Sequence, residues 1–135
     1  MVKALQLVNG IPTSVEVSSG APGDISATNF SLSNNQTASN VTGLLFSSST
    51  SRMALIKIHY ELDATADKSA SFELVAHYDS TDSTWKLFGD FSSDQSDLGV
   101  SFDITAGGQV IYDTDNIAGF VSATIRFEAK TLEDV

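Results

Sequence analysis

Cysteine is absent from this 135-residue chain. That removes disulfides, zinc–thiolate sites and thiol nucleophiles from the ways the fold could be held or used. Basic residues are scarce: 7 Lys and Arg stand against 17 Asp and Glu, a formal net charge of −10. A surface of that sign repels phosphate backbones and anionic headgroups, so no nucleic-acid partner is expected, and the charge serves solubility. No apolar run approaches the length of about 18 residues that a membrane-crossing helix needs, so no membrane insertion is expected. The single Lys3 is followed by no signal-type apolar stretch before Asn9, so no secretory leader is expected. No segment sustains a 3.6-residue apolar period, which argues against helix.

What is present is period-two alternation in segments rich in Val, Ile, Thr, Phe and Ser, the pattern of an all-β chain. A hydrophobic content of 41% is enough for a real core. The length suits one domain with an appendage.

The appendage is the N-terminus. "ALQLVN" and "TSVEV" flank Asn9-Gly10-Ile11-Pro12. Asn-Gly tolerates positive φ at both turn positions, and Pro12 lacks the N–H of an interior strand residue. Residues 1–17 therefore read as a β-hairpin, residues 18–24 ("SSGAPGD") as a flexible linker, and residues 25–135 as the main domain. A two-stranded hairpin is not stable alone in water, so it needs another surface. Leu5, Leu7, Val8, Asn9, Gly10, Val15 and Val17 are the expected anchoring residues.

In the main domain the clearest strand is "RMALIKIHYEL", with Ala54, Ile56, Ile58, Tyr60 and Leu62 on one face and Leu55, Lys57, His59 and Glu61 on the other. "SASFELVAHYD" follows, then "TWKLFGDF", "GVSFDI", "QVIYD" and "FVSATIRFEAK", with a Thr105–Gly108 turn suited to a glycine bulge. About eight to ten strands are expected, in an antiparallel, jelly-roll-like β-sandwich. If the first two long strands pair directly, matching their apolar faces demands partners whose numbers sum to about 130, such as Ile56 with Leu74. The other face then sets Lys57 against Glu73, an expected ion pair, and Leu55 against Val75. The next strand adds Tyr78–Trp85 inward and Val75–Phe88 outward. Leu55, Val75 and Phe88 thus form an apolar stripe on a polar face, an expected oligomer interface.

Residues able to carry chemistry do not converge. His59 and His77 fall on outer strand faces, too far apart in register to share a metal. Asp113–Asn116, Asp94 and Asp97 alternate oxygen ligands as calcium sites do, but lack the glycine and terminal glutamate of an EF-hand, so turn-forming roles are expected and no metal or cofactor. No carboxylate pair stands out for glycoside hydrolysis, and no enzyme activity is expected. Tyr60, Tyr78, Trp85 and Phe88 could stack on a sugar, yet Tyr78 and Trp85 read as core.

From Asn34 onward the chain resembles a β-domain of tailed-bacteriophage virion proteins, chiefly fibre and decoration components. The stretches that carry the resemblance are "NNQTASNVTGLLFSSSTSRMALIKIHYELDAT", "STWKLFGDF" and "GVSFDITAGGQVIYDTDNIAGFVSATIRFEAKTL". The opening "MVKALQLVNGIPTSVEV" is similar to segments that anchor such fibres. The resemblance implies a β-sandwich virion module assembled in the host cytoplasm, partnered with other capsid or tail proteins, homo-oligomeric with a trimer favoured, and without catalytic residues. A host-surface glycan or protein is the alternative partner, gripped by loops 34–40, 91–98 and 113–118.

Overall fold

Every described element is a strand, as the alternation requires. The computed structural model describes residues 6–8, 11–13, 23–93 and 95–133, and among them there is no helix. The strands are β1 (Gln6–Val8), β2 (Ile11–Thr13), β3 (Ile25–Leu32), β4 (Ser39–Leu45), β5 (Met53–Asp63), β6 (Lys68–Asp79), β7 (Thr84–Ser92), β8 (Val100–Ile104), β9 (Gln109–Thr114) and β10 (Ser122–Leu132).

β1 and β2 form a two-stranded sheet of their own, with Val8 opposite Ile11. That register leaves two residues for the turn, as expected of Asn9-Gly10, which lie outside the described residues together with Leu5, Val15 and Val17. The remaining strands make an antiparallel β-sandwich: a five-stranded sheet of order β3-β10-β5-β6-β7 and a three-stranded sheet of order β4-β9-β8. A jelly roll splits its strands through two Greek keys. Here β3 and β4 enter different sheets, but the hairpins β5-β6-β7 stay together, which makes the sheets unequal.

The inner face of the large sheet follows from strict alternation. Ala54, Ile56, Ile58, Tyr60 and Leu62 on β5, Phe72, Leu74 and Ala76 on β6, and Ala123, Ile125, Phe127 and Ala129 on β10 are all buried. Val41, Leu44, Ile104, Val110 and Tyr112 close the core from the small sheet. β4 breaks the alternation at Gly43, whose φ of 99° coincides with a register shift against β9. The bulge turns Leu44 into the core and leaves Leu45 60% exposed.

The Thr105–Gly108 turn closes on a Gly108 N–H to Thr105 O bond of 3.0 Å. Gly108 has φ 99°, and a Cβ there would lie 2.2 Å from the Phe46 carbonyl oxygen and 3.0 Å from the Trp85 indole. Gly107 has only Thr105 Oγ1 within 4.0 Å. Gly108→Ala is therefore expected to destabilise by at least about 1–2 kcal/mol. Gly107→Ala should stay within about 0.5 kcal/mol. Thermal melting of the two variants side by side checks the pair, and equal melting temperatures would refute it.

Candidate functional site: the outer face of the large sheet

The outer face of the five-stranded sheet is laid out in rows by its registers. β5 and β6 pair with the expected sum: Leu55 faces Val75, Lys57 faces Glu73 and Ile56 faces Leu74. β6 and β7 pair Val75 with Phe88 and Tyr78 with Trp85. β10 then adds a residue to each row across β5, with Leu132 opposite Met53, Lys130 opposite Leu55 and Glu128 opposite Lys57.

Two adjacent rows carry neighbouring apolar side chains. One reads Lys130, Leu55, Val75, Phe88 and the other Leu132, Met53, His77, Lys86. Leu55 is 50%, Phe88 56% and Leu132 63% exposed, while Val75 and Met53 are half-buried between them. At about 4.8 Å per strand the patch crosses roughly 14 Å from β10 to β7. Leu55, Val75 and Phe88 thus come together as the sequence implies. Met53, opposite His77 as the same register requires, and Leu132, at the end of β10, enlarge the patch.

The patch has charged borders. The row beyond it reads Glu128, Lys57, Glu73, Asp90, and the next contains Arg126, His59, Ser71 and Ser92. Lys57 and Glu73 stand opposite in register, but the expected ion pair is not among the salt bridges of the described residues. Salt bridges seen elsewhere include His59 Nε2 with Glu61 Oε1 at 3.2 Å, and Lys86 Nζ with Asp79 Oδ2 at 2.8 Å and Asp82 Oδ2 at 3.0 Å. A shallow depression of about 330 Å³ runs along this border, lined by Lys57, His59, Glu73, Arg126 and Glu128 among others. Arg126 Nη1 donates to Asn29 Oδ1 at 2.9 Å.

The Lys86 clip closes the β6–β7 hairpin next to the patch. The Lys86 ammonium, followed by the Thr81 hydroxyl and amide, holds the Asp79 carboxyl well below the usual carboxylate range. Thr84 and then Lys86 lower Asp82, and the two carboxylates raise Lys86. All three groups meet water, so the clip orders the hairpin tip more than it stabilises the domain.

The acidic loops gather at one end of the sandwich and are stitched by their own polar groups. The Asp113 carboxylate accepts the Ala38 N–H. Thr114 Oγ1 donates to Ser33 O at 2.6 Å and accepts the Gln36 N–H at 2.9 Å. Asn34 Oδ1 accepts the Ile117 N–H at 2.9 Å, and its Nδ2 donates to Asn116 Oδ1 at 3.3 Å. Among the described residues no three acidic or histidine side chains converge on a common point. Asp94 lies outside the described residues.

The aromatic residues divide between layers. Tyr60 and Trp85 are buried, Tyr78 is half-buried against Trp85 with ring centroids 5.5 Å apart, and Phe88 alone projects outward. They do not form a sugar-stacking platform. The Tyr60 hydroxyl instead donates to Leu98 O at 2.8 Å, tying residues 95–99 to the core. Burial, reinforced by the charge of Asp115, raises the Tyr60 phenol from 10.0 to about 12. A raised value means that the fold favours the protonated form. Its contribution is complete below pH 10.0 and is lost as pH rises toward about 12. Alkaline unfolding followed with tyrosinate absorbance is expected to show one tyrosine ionising late in wild type, and Tyr60→Phe should remove that late step. A late step that survives Tyr60→Phe would refute the assignment.

Within the described residues no helix is long and apolar enough to cross a membrane. No protein-family model matches the chain, and no curated protein shows significant similarity to it.

Proposed function

We propose that this chain is a structural component of a bacteriophage particle, a short fibre, decoration or tail-fibre module. In this reading the N-terminal hairpin attaches the chain to a neighbouring subunit, the acidic sandwich is displayed outward, and copies associate through the Leu55/Val75/Phe88 face, with a trimer favoured. The chain reaches the virion by assembly in the host cytoplasm and carries no catalytic step.

The observation that supports it most is the ribbon. Its two three-residue strands pair with each other and belong to neither large sheet, and nine residues separate Thr13 from Gly23. An isolated ribbon of that size gains little by itself, so its use lies in a sheet it can join. The apolar patch is a second surface that solvent alone does not favour. Antibody labelling of purified particles by electron microscopy tests the reading: label at regular positions on intact virions is expected, and its absence from particles made while the chain is produced would refute it.

A receptor-binding role is favoured by one feature, the hydrogen-bonded loop end. There a depression of about 300 Å³ is lined by Thr65, Lys68, Asp97, Asp115 and Asn116 among others. Binding of the purified chain on a glycan array would support that role.

A further inference from the structure

The four edges of the sandwich are guarded unequally. β7 carries Lys86 and Asp90 and has Gly89 at φ 141°, β8 is short and carries Asp103, and β4 is broken by the Gly43 bulge. These are the usual devices against edge-to-edge pairing. β3 reads ISATNFSL, with no charge, proline or glycine. It has one irregularity, between Ile25 and Thr28, and from Thr28 to Leu32 it is straight and in register with β10. Among the described residues no strand lies on its other side. Thr28 is opposite Phe127, on the inner side of the sheet, yet it is exposed. Such an edge is a template for an added strand.

The chain also carries a piece in search of a sheet, the β1–β2 ribbon. Its route to β3 is constrained. Asp24 Oδ1 accepts the Thr131 N–H at 2.7 Å and the Thr131 hydroxyl at 2.9 Å. A Cβ on Gly23 would lie 2.3 Å from Ser51 Oγ, so the backbone there is pressed against the β4–β5 loop. The chain is thus clamped in line with β3 and alongside β10. Gly23 and Asp24 therefore continue the line of β3 past its first residue, Ile25. Pairing with its own β3 would require the chain before Gly23 to reverse direction, and among the described residues the ribbon pairs only with itself. A second copy needs no reversal, and residues 14–22 span at most about 30 Å.

We propose that Thr28–Leu32 of β3 is the docking edge for the β1–β2 ribbon of a second copy. This rests on reading the ribbon as the anchoring element and names its neighbour. The contact joins unlike surfaces, so repetition closes into a ring, three copies giving a trimer, or continues as a fibre.

Hydrogen–deuterium exchange on the full chain over a concentration series tests it. Protection of the outward amides in residues 28–32 is expected to rise with concentration. Thr28→Lys, which puts a charge where an added strand would bury it but where the lone sandwich leaves it in water, should abolish that rise with little change in melting temperature. Leu7→Pro, in the ribbon and outside the sandwich, should abolish it without touching the edge. No protection at any concentration overturns the proposal, and so does protection that is independent of concentration, the mark of a ribbon folded onto its own edge. No particle is involved in the measurement. A chain that shows the protection but never enters virions refutes the virion reading alone, and a chain that enters virions without it refutes this one alone.

Discussion

Replacing Trp85 by alanine is expected to cost about 3–5 kcal/mol. For a domain of this size that lowers the melting temperature by about 10–20 °C. Trp85 is the first inward residue of β7 and is 4% exposed. Its ring sits 5.8 Å from Phe46 and 5.5 Å from Tyr78, between centroids, and the missing side chain of Gly108 lets the β8–β9 turn close over it. Its backbone N–H donates to Ala106 O at 3.1 Å, and the Arg52 guanidinium covers the Tyr78 ring at 4.9 Å. The walls of the site belong to hydrogen-bonded strands and a tight turn, so the space left by alanine cannot collapse, which places the cost toward the upper part of the range. Against a total stability of roughly 5–15 kcal/mol this is a large share. Trp85→Phe should recover part of it, because one ring still fills the site. A melting temperature unchanged by Trp85→Ala would mean that the inner and outer faces of β7 are interchanged.

Phe88→Asp, three residues further along the same strand, is expected to have the opposite character. Phe88 is 56% exposed and stands beside Val75 on the outer face. In the free subunit the new carboxylate meets water, so stability should change by less than about 1 kcal/mol. In an interface built on Leu55, Val75 and Phe88 the same charge must be desolvated without a partner, at about 3–5 kcal/mol. Self-association should weaken by about a hundredfold or more. Sedimentation equilibrium of wild type and variant, with melting curves of both, separates the two effects. Equal association constants would remove the outer face from the interface, and an unfolded variant would place Phe88 in the core.

The sheet that bears this patch was legible because its central strands are consecutive. In β5, β6 and β7 alternation decides which side of each strand is apolar, and short connections leave one register that aligns those sides. Hence Ile56–Leu74, Leu55–Val75 and Val75–Phe88 follow from residue numbers alone. Met53 opposite His77 follows from the same sum, but Leu132 could not be reached in that way. β10 joins β5 through a connection spanning β6 to β9, and the last apparent strand residue by pattern was Lys130, two short of the end at Leu132. The exposure of Leu45 has a different origin: one glycine bulge inverts the alternation of β4 after Gly43, and a bulge is set by the partner strand. Lys57 and Glu73 show the limit of register itself. Opposite positions on an exposed face permit an ion pair, but solvated side chains gain too little from it to close. The Tyr60 hydroxyl, aimed at a carbonyl of a distant loop, had no local signal at all.

The central claim is attachment to a particle through the N-terminal ribbon. It is tested most directly by producing the full chain and a chain lacking residues 1–17 in separate infections and measuring each in purified virions by quantitative mass spectrometry. The full chain is expected at a fixed copy number per particle, with the shortened chain left folded and soluble in the lysate. Equal incorporation of the two, or incorporation of neither, would contradict the account.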